Sequence, residues 1–253
     1  DSRAKHGYRM MVELIDTHSD HVERELGAAI AALQPDGVIL TPPHSENEQI
    51  TKLLAQRNIP FARIGSTEDG PGVRLTMGDE DAAYQATARL IELGHTRIGM
   101  IAGPRRYSLS GWRITGWRRA LQDHDLDPEG LFERGDFGYE SGTQAARALL
   151  DRDPDLTAII GSSDQMTLAA LEVARDRGLH VPRDISLISF DNTPIVRFSQ
   201  PPLTAVDQPI AETVSAAVEE LIRLRKSDPH PGVIDVKAGL VERASTGPAP
   251  RAG

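Results

Sequence analysis

Short apolar runs, almost unbroken by polar residues, recur along the chain. They read YRMMVELI, DGVIL, IPFARIG, RIGMIAG, LTAIIGS and ISLISF, and each is only a few residues long. Strands that are buried on both faces of a parallel sheet have this character, whereas strands with one solvated face alternate apolar and polar residues. The runs therefore predict parallel strands that are covered on both sides.

Segments with helical periodicity separate these runs. One of them carries an apolar stripe formed by Val22, Leu26, Ile30 and Leu33. Ser45, with Glu48 three positions later, predicts a capping box at the start of another helix. AAYQATARLIELG and DQMTLAALEVARDRG each end on glycine, as helices commonly do, and Pro209 is expected in the first turn of the helix that follows it. Strict alternation of strands and helices predicts right-handed crossovers and an α/β fold.

Two stretches share one order of elements. LIELGHTRIGMIAG and LEVARDRGLHVPRDISLISFD both predict a helix, a glycine stop, a basic link and a buried strand, and the irregular segment PRRYSLSGWR lies between them. We interpret this repetition as two Rossmann-like lobes joined after Gly103, with a ligand cleft between them. Ligands bind outside the carboxyl ends of parallel strands, so Asp191 is expected to face that cleft.

Charge and composition narrow the classes of function. Lys and Arg number 28 against 37 Asp and Glu, for a formal net charge of −9, so this surface repels a phosphate backbone and is a poor candidate for gripping DNA by itself. The chain contains no cysteine, which excludes disulfides and thiolate metal sites and fits the cytoplasm without excluding a periplasm. No apolar run approaches the roughly 20 residues of a membrane helix.

Four residues near the predicted cleft could bind a ligand. Asp191 could merely stop its strand, or it could accept hydrogen bonds from neighbouring hydroxyls of a polyol. Arg113 could be a solvated helix residue, or its planar fork of donors could bind ring and hydroxyl oxygens. Phe137 and Tyr107 belong to an aromatic cluster that is compatible with core packing or with stacking against a sugar ring.

Catalytic and metal motifs are not found. The chain has no Walker A loop, no G-x-G-x-x-G after a strand, no G-x-S-x-G elbow and no H-E-x-x-H. His18 and His21, with Asp16 and Asp20 nearby, are spaced like residues of a polar helix face, and such histidines are far more often solvated than bound to zinc. We therefore expect no enzyme activity, no metal site and no cofactor.

From Gly7 to about Thr246 the chain resembles the effector-binding core of the lac-repressor/galactose-repressor (LacI/GalR) family of bacterial regulators. The resemblance lies in PDGVILTPP, LIELGHTRIGMIAGP, SGWRITGWRRAL, SSDQMTLAALEVARDRGLHVPRDISLISFDNTP, PPLTAVDQPIAE and GLVERAST. Type I periplasmic sugar-binding proteins share the expected fold, and a periplasmic receptor of a transport system remains the alternative.

The resemblance implies a cytoplasmic homodimer that binds a small effector, commonly a sugar or sugar derivative. It also implies that operator DNA is contacted through an N-terminal helix-turn-helix domain that precedes this core, and that a first strand precedes it too. One lobe is expected to comprise residues 1–103 and 208–236, and the other residues 104–207 and 237–253. The chain is expected to cross between lobes near Gly103, Gln208 and Val236.

Residue by residue, Arg113 and Asp191 fall on the family's effector-binding arginine and aspartate. Phe137 falls where an aromatic residue often contacts the ligand, and Gln208 lies in a crossover. Ser163 stands where the family usually has asparagine, which shortens or removes one amide contact to the ligand. The remaining candidates for the effector site are Asp79 and Tyr107.

Overall fold

The computed structural model describes residues 7–15, 21–66, 68–225 and 233–250. The strands in these ranges are β1 (Val38–Leu40), β2 (Phe61–Ile64), β3 (Val73–Thr76), β4 (Ile98–Ala102), β5 (Phe132–Arg134), β6 (Ala158–Gly161), β7 (Ser186–Asp191), β8 (Thr204–Asp207), β9 (Val233–Asp235) and β10 (Gly239–Val241). The helices are α1 (Val22–Leu33), α2 (Glu48–Gln56), α3 (Asp79–Glu92), α4 (Ser108–Asp123), α5 (Tyr139–Arg152), α6 (Asp164–Asp176) and α7 (Ile210–Arg225). The predicted α/β fold is confirmed.

The chain divides into two compact units. The first unit comprises residues 1–77 and 209–236, and the second comprises residues 78–208 and 237–253. The first unit holds a parallel sheet in the order β1-β2-β3-β9. One apolar cluster joins α1 and α2 to this sheet, and another joins α7 to it, so both faces of the sheet are covered.

The second unit holds a six-stranded sheet in the order β10-β8-β7-β6-β4-β5. The neighbours from β8 to β5 are parallel, while β10 runs antiparallel to β8 at the edge. β4, β6 and β7 are almost entirely buried, as their unbroken apolar sequences predict. The expected parallel arrangement therefore holds except for one edge strand.

The division after Gly103 is wrong. β4 and β7, the strands of the two repeated stretches, lie in the same sheet, and the first crossover falls between Met77 and Gly78. A helix, a glycine stop and a buried strand recur in every unit of a doubly wound sheet, so the repetition did not indicate which sheet a strand joins. The later crossovers fall after Gln208 and Val236, close to their expected positions.

Two local predictions also differ from the structure. The run YRMMVELI forms no strand in the described residues 7–15: it pairs with no strand of either sheet, and Leu14 is 94% exposed. α2 begins after Asn47, whose side chain accepts from the backbone N–H groups of Gln49 and Ile50 at 2.9 and 3.2 Å. Ser45 instead lies in a short 3₁₀ turn, so the capping box is not formed.

No helix among the described residues is long and apolar enough to cross a membrane.

The helices α3 and α4 approach each other unusually closely at Gly116. A Cβ atom at this position would lie 1.9 Å from the carbonyl oxygen of Glu80 and 3.0 Å from the backbone N of Tyr84. Both obstacles are backbone atoms, so a side chain at this position requires the helices to separate. Asp79 lies on α3 and Arg113 on α4, so this contact also sets the distance between these two candidates.

We expect Gly116→Ala to destabilise the protein by about 1–3 kcal/mol, since overpacking forces the backbone to shift. Gly111→Ala on the same helix is the matched control, because nothing lies within 4 Å of its added Cβ. Replacing that helical glycine should stabilise the protein by about 0.5–1 kcal/mol. Urea unfolding measures both changes, and equal midpoints for the two variants would contradict the close approach.

Candidate functional site

Three neighbouring parallel strands of the second unit have their carboxyl ends side by side, and we call this end of the sheet the sheet edge. β4 is followed by Gly103, β6 by Ser162 and Ser163, and β7 ends on Asp191. Loops at the carboxyl ends of parallel strands are the usual ligand-binding region of α/β folds. The candidate site is therefore built at this edge, from residues of one unit.

Arg113 and Asp79 form a buried ion pair at this edge. Their side chains are 3% and 2% exposed, and Nε and Nη2 of Arg113 lie 2.8 and 2.7 Å from Oδ1 of Asp79. Nη1 donates to the carbonyl oxygen of Ser162 at 2.7 Å, and the guanidinium carbon lies 4.3 Å from the centroid of the Phe190 ring. These contacts hold the guanidinium in one orientation.

The held guanidinium still has donors to offer. A guanidinium carries five N–H groups, and the contacts with Asp79 and Ser162 engage one group on each nitrogen. Two N–H groups of Arg113 have no acceptor among the described residues. They form a planar fork suited to a pair of ligand oxygens.

The backbone of Asp191 has an uncommon conformation. Asp191 and Asn192 have φ angles of 98° and 59°, in the region that side chains rarely adopt. The amide of Asn192 holds this turn, because its Nδ2 donates to Asp207 at 2.8 Å and its Oδ1 accepts from Arg243 at 2.6 Å. Strained residues that are held by their surroundings concentrate at binding sites.

Burial raises the pKa of the Asp191 carboxyl above its usual range. The negative charges of Asp164 and Asp79 add to the rise, whereas Arg113 and the backbone of Asp164 oppose it. The carboxylate therefore lies in a place that disfavours its charge. A ligand that donates hydrogen bonds to it would relieve this cost.

Asp164 positions the turn that carries Asp191, a role that the sequence interpretation missed. It is 3% exposed, and its Oδ1 accepts from the Ser189 hydroxyl at 2.5 Å. Its Oδ2 accepts from the backbone N–H and the hydroxyl of Thr193 at 2.7 and 2.6 Å. The available signal was an acid at the first residue of a helix, three residues after the end of a buried strand.

Phe137 and Tyr107, which lie in loops at the same end of the sheet, contact each other through their aromatic rings. Their ring centroids are 5.3 Å apart with an interplanar angle of 76°. Phe137 also has a positive φ of 73°, and its carbonyl oxygen accepts from the hydroxyl of Ser163 at 2.9 Å. The same hydroxyl accepts from the backbone N–H of Met166 at 3.1 Å, so Ser163 caps α6 and fixes the aromatic loop.

Gln208 completes the set, with Nε2 3.5 Å from Oδ1 of Asp79. The structure thus brings Asp79, Arg113 and Gln208 into one hydrogen-bonded group, and Phe137 with Ser163 and Tyr107 into another. Asp191 interacts electrostatically with the first group. Their roles in ligand binding stay predictions.

No cluster of three or more potential metal ligands occurs in the part of the chain that the structure describes. Asp16, His18 and Asp20, which the sequence places near His21, lie outside the described residues.

Known proteins carry the same architecture. The model of the family described as periplasmic binding protein-like domain matches residues 87–246. This chain belongs to that family. The predicted resemblance to the effector-binding core of LacI/GalR regulators is confirmed.

Two curated relatives and one solved structure illustrate the similarity. The HTH-type transcriptional regulator CelR of Thermobifida fusca is 37% identical over 185 residues, or 71% of this chain and 54% of CelR. The HTH-type transcriptional repressor CytR of Escherichia coli K12 is 36% identical over 194 residues, or 75% of this chain and 55% of CytR. A transcriptional regulator CelR–cellobiose complex superposes with a TM-score of 0.87 at 31% identity, covering 96% of this chain and 75% of that one. This chain spans about half the length of the curated relatives it matches.

We expect Asp191→Asn to stabilise the ligand-free protein at neutral pH, because it removes a charge that burial disfavours. Folding raises the pKa of Asp191. The free-energy cost of its buried charge is therefore fully present at pH values above the folded-state pKa, and it vanishes below the unfolded-state pKa of about 3.9. The gain over the wild type in urea unfolding should therefore shrink as the pH falls from neutral towards about 4.

Asp155→Asn, in an exposed loop of the same unit, is the control for the loss of one negative charge. A gain in Asp191→Asn that matches this control, or that stays constant with pH, would contradict the raised pKa.

Proposed function

We propose that this chain is the effector-binding and dimerisation core of a LacI-type transcriptional regulator, and that its effector is a sugar or sugar derivative. The observation that carries the proposal is the Arg113 fork, held by Asp79 and Ser162 with two N–H groups unused. The carboxylate of Asp191 supplies an acceptor beside these donors. Donors and acceptors held this close together match the adjacent hydroxyls of a polyol.

Several observations support this choice of ligand. Phe137 and Tyr107 offer aromatic surface for the apolar face of a sugar ring, and both belong to the same sheet edge. The similar CelR structure is a complex with cellobiose. The relatives are regulators rather than transport receptors or enzymes, which favours a regulator over a periplasmic sugar-binding protein.

The mechanism we propose is thermodynamic linkage in a cytoplasmic homodimer. The effector binds one conformation of the core better than another, and operator affinity changes by a coupling free energy of about 1–3 kcal/mol. DNA contact is assigned to a helix-turn-helix domain outside these 253 residues, in keeping with the net charge of −9. The binding site therefore acts as an allosteric input rather than as a catalytic centre.

Calorimetry with neutral mono- and disaccharides, after a thermal-shift screen, tests the site. Arg113→Lys keeps the charge opposite Asp79 but loses the planar fork, and we expect it to weaken sugar binding by about 1–3 kcal/mol. Asp191→Asn should weaken binding by a similar amount, since it replaces a charged acceptor.

Arg118→Lys is the matched control, because Arg118 is exposed on the same helix as Arg113. Unchanged affinity in both site variants would remove Arg113 and Asp191 from the binding site. Failure of every sugar to bind the folded protein would contradict the proposed effector class.

A further inference from the structure

Arg134 is a second arginine at this sheet edge, and its hydrogen bonds are incomplete. It ends β5, and its Nη1 donates to the carbonyl oxygen of Gly103 at 2.8 Å. Its Nε is buried and has no hydrogen-bond partner among the described residues. Arg113 at the same edge, by contrast, has a carboxylate partner in Asp79. Arg134 therefore holds unused hydrogen-bond donors in a partly buried place.

The charge of Arg134 is not balanced by a carboxylate. Neither Arg134 nor Arg105 forms an ion pair with any of the described acidic residues. Arg134 donates to the carbonyl oxygen of Gly103, which is two residues before Arg105, so the chain brings the two cations to the same loop. In keeping with this, burial lowers the pKa of Arg134 and the positive charge of Arg105 lowers it further. Arg106 differs in having an acidic neighbour: hydrogen bonds from Ser141 and the backbone of Gly138 lower the pKa of Asp136, and the charge of Arg106 adds to this lowering. Two neighbouring cations cost free energy that a bound anion would offset.

This pair adjoins the proposed sugar site through Gly103. A Cβ atom on Gly103 would lie 2.2 Å from the Phe137 ring and 2.6 Å from the hydroxyl oxygen of Ser110. The same glycine accepts the hydrogen bond of Arg134. Phe137, Ser110 and Arg134 thus surround one backbone position.

Two buried hydroxyls at this edge also have no partner. Ser110 and Ser162 are 0% and 1% exposed, and neither Oγ makes a hydrogen bond with a described residue. Buried polar groups are nearly always satisfied in native proteins, so orphaned hydroxyls beside a ligand site call for a polar ligand group. Both belong to residues close to Arg113, since Ser110 precedes it by three residues in α4 and Ser162 supplies the carbonyl oxygen that accepts from it.

We propose that Arg105 and Arg134 form an anion subsite next to the proposed sugar site, so that the effector is a sugar carrying a carboxylate or a phosphate. This inference rests on the proposed function, whose sugar site it extends. Guanidinium groups bind both anions through paired charge-assisted hydrogen bonds. A sugar carboxylate and a sugar phosphate have in common a compact oxyanion attached to a polyol.

The test compares matched ligands by calorimetry. Each neutral sugar, such as glucose, galactose or cellobiose, is titrated beside its uronate or aldonate and its phosphate monoester. In at least one set we expect an anionic member to bind about tenfold or more tightly than its neutral parent. This preference should weaken with rising salt.

Arg134→Gln should remove most of that preference and leave the affinity for the neutral parent within about twofold. Arg118→Gln, on an exposed helix face, is the matched control and should leave the preference intact. Comparing the uronate or aldonate with the phosphate monoester of the same sugar shows which of the two anionic groups the subsite binds.

Each outcome of these titrations either supports or contradicts the anion subsite. Neutral sugars that bind as tightly as their anionic partners, or a preference that survives in Arg134→Gln, would overturn the anion subsite and leave the sugar site standing. If no member of any set binds the folded wild type, the proposed sugar effector fails, and the anion subsite fails with it.

Discussion

A buried guanidinium without a carboxylate partner costs several kcal/mol, and the second unit is arranged around meeting that cost for Arg113. Asp79 and Ser162, which are 34 and 49 residues away along the chain, supply its partners. The pair forms only because α3 and α4 come together at Gly116, where a backbone carbonyl occupies the space of a side chain. The packing of α3 against α4 and the Arg113–Asp79 ion pair thus depend on one close contact.

The acidic residues of this edge are used in different ways. Asp79 balances Arg113, and Asp164 is saturated by hydroxyl and amide donors, so both charges are compensated within the protein. Asp191 is left in a strained turn, with a raised pKa and no comparable set of donors. The uncompensated charge of such a carboxylate lowers the stability of the free protein. A ligand that supplies the missing hydrogen-bond donors relieves this cost, and the relief adds to the free energy of binding.

Much of the site followed from local sequence and family resemblance, and part of it did not. The family resemblance predicts binding roles for Arg113 and Asp191, whereas their local sequence at a helix start and at a strand end leaves a purely structural role open. The role of Ser163 did not follow, because its hydroxyl bonds to a carbonyl oxygen 26 residues away as well as capping its own helix. Arg134 was not a candidate because a lone arginine at the end of a short strand carries no motif. Its proposed role in an anion subsite depends on Gly103 and Arg105, which only the fold brings close to it.

The sequence by itself determined the class of fold, most of its helices and strands, and the acid at the end of β7, because periodicity, caps and strand ends are properties of neighbouring residues. Only the tertiary structure decided that β4 and β7 share one sheet, that the first crossover lies between Met77 and Gly78, and that Asp79 is the partner of Arg113. The physical reason is that sheet membership and buried charge pairing depend on contacts between distant segments. A local pattern recurs in every βα unit and does not distinguish between such contacts.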